Sequence, residues 1–429
     1  MSDRADISRR GFLSSAGIAT GAAFPYLLPR HALGAHKRLG ANDRVRIGVI
    51  GVGNRAGLLI DQLPKPGQVV AVADCFLSRA EEAVAKRKAS WDIYQDYRKI
   101  LDRKDIDGVI VATPDHGRVL PCIHSCQAGK DVYGEKPLTL YPAEGRVLVK
   151  AARRYKRIFQ VGSQQRSMRM NQIASELILS GGLGKISLVH GVNYDAPNPM
   201  RDFPEEPAPA KLNWDVWLGQ APARPYSNRL FSSWMSWIEY SGGDTTNWGA
   251  HGLDQIQWSL GMSQTGPVEL WPMEGGPKGA IAFRYANGVT VQLDLPHSDL
   301  QSDLQSGGRF IGEKGSIDLW RNNFKLDAPG VTVELPPRAE VQKWRDEVAL
   351  WQAEFHMGHW MECMVSRTMP NADVEIGHRS ITVCHLVNIT RRLNRRLKWD
   401  PVQEDFAGDA EAHALANRQR RKGWELPKI

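Results

Sequence analysis

The sequence predicts an α/β protein, with a doubly wound parallel sheet in its N-terminal half and an α+β second half. Three observations predict it. An apolar strand at 45–50 runs directly into a glycine-rich turn and then a helical stretch. Strand and helix segments go on alternating as far as Val161, as parallel βαβ units do. Beyond residue 268, apolar and polar residues alternate with period two, the pattern of half-buried strands.

The elements follow in order. Val45-Arg46-Ile47-Gly48-Val49-Ile50 reads as a buried strand, and Gly51-Val52-Gly53-Asn54-Arg55-Ala56 opens a helix expected to reach Leu63. This is Gly-x-Gly-x-x-Ala in the strand–turn–helix setting that binds a dinucleotide. Gly51 permits the tight turn, Gly53 lets the backbone approach a pyrophosphate, and Ala56 keeps the helix close to the sheet. A second strand, 69–73, ends in Asp74, whose carboxylate suits ribose hydroxyls and repels a 2′-phosphate. NAD is therefore expected, with NADP left open by the nearby Arg79. Further strands are expected at 107–113, 131–134 and 158–161, and helices at 121–128 and 143–155. Thr113, Pro114 and Lys136 fall at carboxyl ends of strands, where such sheets bind ligands. In the second half, 268–270, 280–285 and 290–295 read as strands, with a hairpin turn at Ala286-Asn287-Gly288. Another turn, 312–316, precedes a strand at 317–320.

The 429 residues suggest two or three domains. The expected division is 1–34, 42–165 and 166–429. The first 34 residues start charged, carry the pair Arg9-Arg10 before Phe12-Leu13, and continue into a weakly apolar run rich in Ala and Gly. That order describes an export signal, and the paired arginines resemble the twin-arginine type. A periplasmic or otherwise exported protein is expected, without a stable membrane anchor, because no apolar run approaches the roughly 20 residues a span needs. Lys and Arg exceed Asp and Glu by 8. The basic residues at 391–398 alternate with Leu386, Ile389, Leu393 and Leu397, so they read as a solvated helix face. Those at 418–422 read as a tail. No nucleic-acid partner is expected. Cys75, Cys122, Cys126, Cys363 and Cys384 are an odd set with no metal-ligand spacing, and core thiols without a metal are expected.

At Glu135-Lys136-Pro137 the sequence resembles the Gfo/Idh/MocA family of glucose–fructose oxidoreductase and inositol dehydrogenase relatives. The resemblance runs through GVIGVGNRAG (48–57), VATPDH (111–116), GEKPLTL (134–140), VGSQQR (161–166), YSGGDTTNWGAHGLD (240–254), and NADVEIGHRS with CHLVNIT (371–390). It implies an N-terminal Rossmann domain and a C-terminal domain with a large, mostly antiparallel sheet that commonly mediates a homodimer or homotetramer. It also implies a cofactor site of Gly51, Gly53, Asn54, Arg55, Asp74, Thr113, Pro114, His116, Glu135, Lys136 and Gln164. Lys136 is expected beside the nicotinamide, where an ammonium stabilises a developing alkoxide. The family's Asp-x-Gly-x-His reads here Asn247-Trp248-Gly249-Ala250-His251. His251 is then the expected proton acceptor, and Asn247 can orient it without taking a proton. Asp244 is an outside candidate for the missing charge. Six tryptophans fall between 214 and 258, and indole faces stack on sugars. Trp237 and Trp248 are the best candidates for substrate, together with Arg166, Asn247 and His251. Relatives often carry a second histidine where Arg118 stands, so the departure suggests a changed or anionic substrate.

These residues support hydride transfer between a sugar or sugar derivative and a tightly bound nicotinamide. One alternative is NAD-assisted, redox-neutral glycoside cleavage by oxidation, elimination, hydration and reduction. Another is a non-catalytic sugar-binding relative, for which Asn247 is the only support.

Overall fold

The computed structural model describes residues 44–276, 278–296, 306–337, 339 and 354–429. The expected export signal lies outside them. The first sheet contains β1 (Val45–Ile50), β2 (Gly67–Ala73), β3 (Asp92–Tyr94), β4 (Gly108–Val111), β5 (Asp131–Gly134) and β6 (Phe159–Val161). All pairs are parallel, in the order β3-β2-β1-β4-β5-β6. β4 and β5 are buried at every residue, which explains their nearly unbroken apolar reading. The order reverses between β1 and β4, so the crevice beyond their carboxyl ends is the place for a ligand. The helix after the glycine turn spans Asn54–Asp61 and stops short of Leu63. Pro64 and Pro66 follow, and the residue before a proline disfavours helix.

The second sheet contains β7 (Ile186–Asn193), β8 (Glu269–Pro272), β9 (Ile281–Arg284), β10 (Thr290–Pro296), β11 (Gly308–Gly312), β12 (Gly315–Trp320), β13 (Asn323–Asp327) and β14 (Leu397–Lys398). Its order is β13-β12-β11-β7-β10-β9-β8-β14, antiparallel except between β7 and β10. Residues 286–288 form the expected turn between β9 and β10. One face packs on the helix Gly249–Ser259 and its neighbours through Val189, Val291, Leu293 and Phe310. The other carries cross-strand ion pairs, Arg309–Asp318 and Arg284–Glu269, and a His190–Asp294 hydrogen bond.

Two helices join the halves. Val374–Leu393 packs on Pro142–Arg154. Gly145 permits this approach, since a Cβ there would sit 2.1 Å from the His378 ring. The helix Glu354–Ser366 crosses the division read at residue 165. Its Met357, Trp360, Met361 and Cys363 share a core with Ile47, Val49 and Tyr133 of the first sheet.

Of the basic cluster at 391–398, Arg392, Arg396 and Lys398 are exposed, as a solvated face requires, but Arg391 and the 418–420 arginines differ from expectation. Arg391 is buried and donates to Gly279 O, Thr245 Oγ1 and Asn193 Oδ1. Arg418 and Arg420 reach the fully buried Glu144. The tail is thus pinned by charge rather than solvated. Four cysteines are buried, Cys75 is half-buried, and all five are free thiols.

Candidate active site

A cleft of about 910 Å³ opens at the carboxyl ends of β1, β2, β4 and β5. Gly51 holds a φ of +81°, and a Cβ on it would lie 2.9 Å from the Thr113 nitrogen. Only glycine meets both constraints without strain. The helix starting at Asn54 has Gly53 as its N-cap, with no side chain capping it, so its leading N–H groups are left for an anion. Asp74 ends β2. Its Oδ2 accepts the backbone N–H of Val52 (2.7 Å) and keeps a lone pair, while Oδ1 accepts the N–H of Phe76 (2.8 Å) and the Cys75 thiol (3.8 Å). Burial pushes its carboxyl up, against the pull of those N–H groups. Arg79 rests over the Phe231 ring at 4.9 Å. Thr113 Oγ1 is buried with no partner. A glycine turn, an uncapped helix start, a terminal carboxylate and an orphaned hydroxyl in one crevice fit a dinucleotide.

Deeper in the cleft, charge organises the wall. Arg55 Nε donates to Glu135 Oε1 at 2.7 Å, and the Lys136 N–H donates to Oε2 at 2.9 Å. Gln164 Nε2 reaches the same Oε1 at 3.2 Å. Burial would raise the Glu135 carboxyl, but Arg55 and Lys136 outweigh it and hold it below its ordinary range. Lys136 Nζ donates to the Asn247 backbone oxygen (2.9 Å) and Oδ1 (3.0 Å), and lies 5.9 Å from the Trp248 ring centroid. Burial lowers its pKa to about 8, with Glu135 opposing and Arg321 adding to the shift. His251 lines the cleft at 6% exposure. Burial, then Lys136, Arg321 and Arg55, hold its imidazole well below the ordinary value, so it is neutral at neutral pH.

The cleft therefore brings together Gly51, Gly53, Asn54, Arg55, Asp74, Thr113, Pro114, Glu135, Lys136, Gln164, Asn247 and His251. Four residues assigned to the site from sequence, His116, Arg166, Trp237 and Trp248, stand outside its lining, and the first three have a clear physical reason. His116 is fully buried, its Nε2 is 2.7 Å from Trp217 O, and burial drives its pKa down to about 3. Arg166 is held by Asp254 through three contacts of 2.8–3.0 Å and stacks on Trp258. Trp237 is 7% exposed, packed against Phe203 and Arg201. Trp248 stands outside the lining as well, its ring 5.9 Å from Lys136 Nζ, and Asp244 does not line the cleft. Arg118 lines the cleft but gives its guanidinium to the carbonyls of Pro137 and Thr113 and pairs with Asp115 at 3.4 Å.

Sequence reasoning missed other contributors. Trp217 and Trp234 come from a small aromatic core at 212–240 that covers one side of the cleft, and the exposed Met235 lines it beside them. Trp424 arrives from the C-terminal tail. Arg321, in the turn after β12, is the least legible, because nothing in a hairpin arginine announces that the sheet aims it at the crevice. The density of tryptophans was the available signal for the aromatic cover.

Residues 45–163 match the family described as "Oxidoreductase family, NAD-binding Rossmann fold", and residues 173–426 match "Oxidoreductase family, C-terminal alpha/beta domain". The inositol 2-dehydrogenase of Salmonella typhimurium is 30% identical over 130 residues, which cover 30% of this chain and 39% of that relative. The WlbA dehydrogenase from Bordetella pertussis, solved in complex with NADH and UDP-GlcNAcA, superposes with a TM-score of 0.59 at 18% identity, over 83% of this chain and 99% of that one. The aldose-aldose oxidoreductase from Caulobacter crescentus complexed with glycerol gives 0.57 at 16% identity, again over 83% and 99%. At such identities the likeness is one of fold.

Proposed function

Because the chain belongs to the Gfo/Idh/MocA oxidoreductase family, we propose that it oxidises a carbinol carbon of a sugar or sugar derivative with NAD held in this cleft. The observation that carries the reading is the shared wall of Lys136, held by Asn247, and the neutral His251. NAD, when bound, supplies the acceptor for the hydride leaving the carbinol carbon. Lys136 sets its ammonium against the hydroxyl oxygen and stabilises the developing alkoxide. His251 takes the hydroxyl proton on a ring nitrogen. Asn247 fixes the ammonium with two neutral oxygens. We also propose that Arg9-Arg10 directs export, that the cofactor stays bound through turnover, and that copies pair through the outer face of the second sheet.

The test is to purify the exported protein, release and quantify its nucleotide, and mix it with sugars and glycosides while following nicotinamide absorbance and product. Stoichiometric NAD and a sugar-dependent rise near 340 nm are expected. Unchanged absorbance with every sugar would defeat the reading, and release of an aglycone without net reduction would replace it with redox-neutral glycoside cleavage.

Asn247 yields a pH prediction. Turnover that needs the Lys136 ammonium declines as pH rises through about 8. In Asn247→Asp, an added carboxylate favours the charged amine. The alkaline limb of kcat should then move up by about one unit or more. A limb that stays in place would show that Lys136 does not set it.

A further inference from the structure

Resting on the reading of a retained NAD, we propose that the C-terminal tail is part of the cofactor site. Trp424 covers the adenosine half of the cleft, so release of the nucleotide requires the tail to lift. The cleft has two ends. Lys136, Asn247 and His251 mark the nicotinamide end. Asp74 marks the adenosine end, with Gln95 and Tyr97 lining it beyond the neighbouring strand β3. The segment 211–219 packs on that second end. There the Asn213 N–H donates to Cys75 O at 2.8 Å, and Gln95 Nε2 donates to Cys75 O (3.1 Å) and Lys211 O (3.0 Å).

The tail crosses this segment and is anchored on both sides of Trp424. Upstream, Arg418 Nε donates to the buried Glu144 at 2.8 Å, and Nη2 donates to His116 O at 2.8 Å and Gln220 Oε1 at 3.1 Å. Arg421 donates to Gly219 O at 2.9 Å and to Asp215 O at 2.8 Å. Downstream, Leu426 and Ile429 pack against the main core. Between these anchors the chain turns, and the Trp424 N–H donates back to Arg421 O at 3.0 Å. The turn sets the indole in the cleft lining, with its ring centroid 5.2 Å from the guanidinium of Arg98, the residue after Tyr97. On its other flank the indole lies 3.8 Å from where a Cβ on Gly219 would sit. One side chain thus bridges the first sheet and the 211–219 segment across the adenosine end. An indole offers a large apolar face, and nucleobases bind such faces. Chain termini ordinarily fray, but one held by a buried ion pair must break it to lift. Release is then gated by the tail, while the chemistry goes on at the opposite end of the cleft.

The test loads wild type, Trp424→Ala and Trp424→Phe with NADH, chases each with excess NAD, and follows bound NADH by fluorescence excited through tryptophan. Trp217 and Trp234 line the cleft in all three and keep the signal readable. Release from Trp424→Ala is expected to be about tenfold faster or more, with binding slowed far less, and Trp424→Phe should recover part of the retention. Release from Trp424→Ala within about threefold of wild type overturns the inference. So does a Trp424→Ala protein that holds NADH as wild type does but needs more sugar to reach half its rate, which would assign the indole to the substrate. Faster release from Trp424→Ala supports the inference even if no sugar changes the nicotinamide absorbance, a result that would sink the oxidoreductase reading alone. Matching urea midpoints for wild type and variants establish that the fold is intact.

Discussion

Lys136→Met should lower kcat by roughly 10²–10⁴-fold, with NAD affinity changed far less. The side chain length is kept and the charge removed, so the loss reports the ammonium. The magnitude follows from where the charge sits. Nζ is held at 2.9 and 3.0 Å by Asn247 rather than moving in solvent, so its field is oriented before the reaction begins. A preorganised charge in a partly dry cleft is worth far more than one in water. Single-turnover absorbance of the nicotinamide, with NAD titrated separately by fluorescence, separates the two effects. Turnover within tenfold of wild type would remove Lys136 from the chemistry.

Asp254→Ala should destabilise the fold by about 3–5 kcal/mol. Arg166 and Asp254 are exposed by only 4% and 2%, and the carboxylate also accepts Ser380 Oγ at 2.6 Å. Removing one partner strands a guanidinium in the core between the helices that carry His251 and Ser380. Urea unfolding measures the loss. In Arg166→Met with Asp254→Leu, both charges disappear and most of the stability should return, because an apolar pair of similar volume can replace a buried ion pair. A single variant that unfolds within 1 kcal/mol of wild type would mean that water or a rearranged neighbour satisfies Arg166.

The first sheet was the most legible part of the chain. Val45–Ile50 and Asp131–Gly134 were read to the residue, because strands buried on both faces are written as apolar runs bounded by turn residues. Gly51, Gly53 and Asp74 were legible for a related reason: each meets a local backbone demand visible within a few residues. Arg166, His116 and Trp237 were misplaced because an arginine, a histidine or an indole has the same letter whether it faces a ligand or closes a core. Their partners, Asp254, Trp217 O and Phe203, lie 88, 101 and 34 residues away. Arg418 and Arg420 illustrate the same limit, since a basic run looks solvated until Glu144, more than 270 residues earlier, is found beneath it. Distant pairings of this kind are set by tertiary packing and leave no periodic trace.

The helix Glu354–Ser366 has a consequence for how the molecule is made. Trp360 and Met361 close over Ile47 and Tyr133, yet a ribosome delivers them long after the last strand of that sheet has emerged. Until then the nascent nucleotide half keeps one flank greasy and exposed, a surface for chaperones to shield. Truncations ending near residue 165 would preserve every strand of the crevice and still yield an insoluble product.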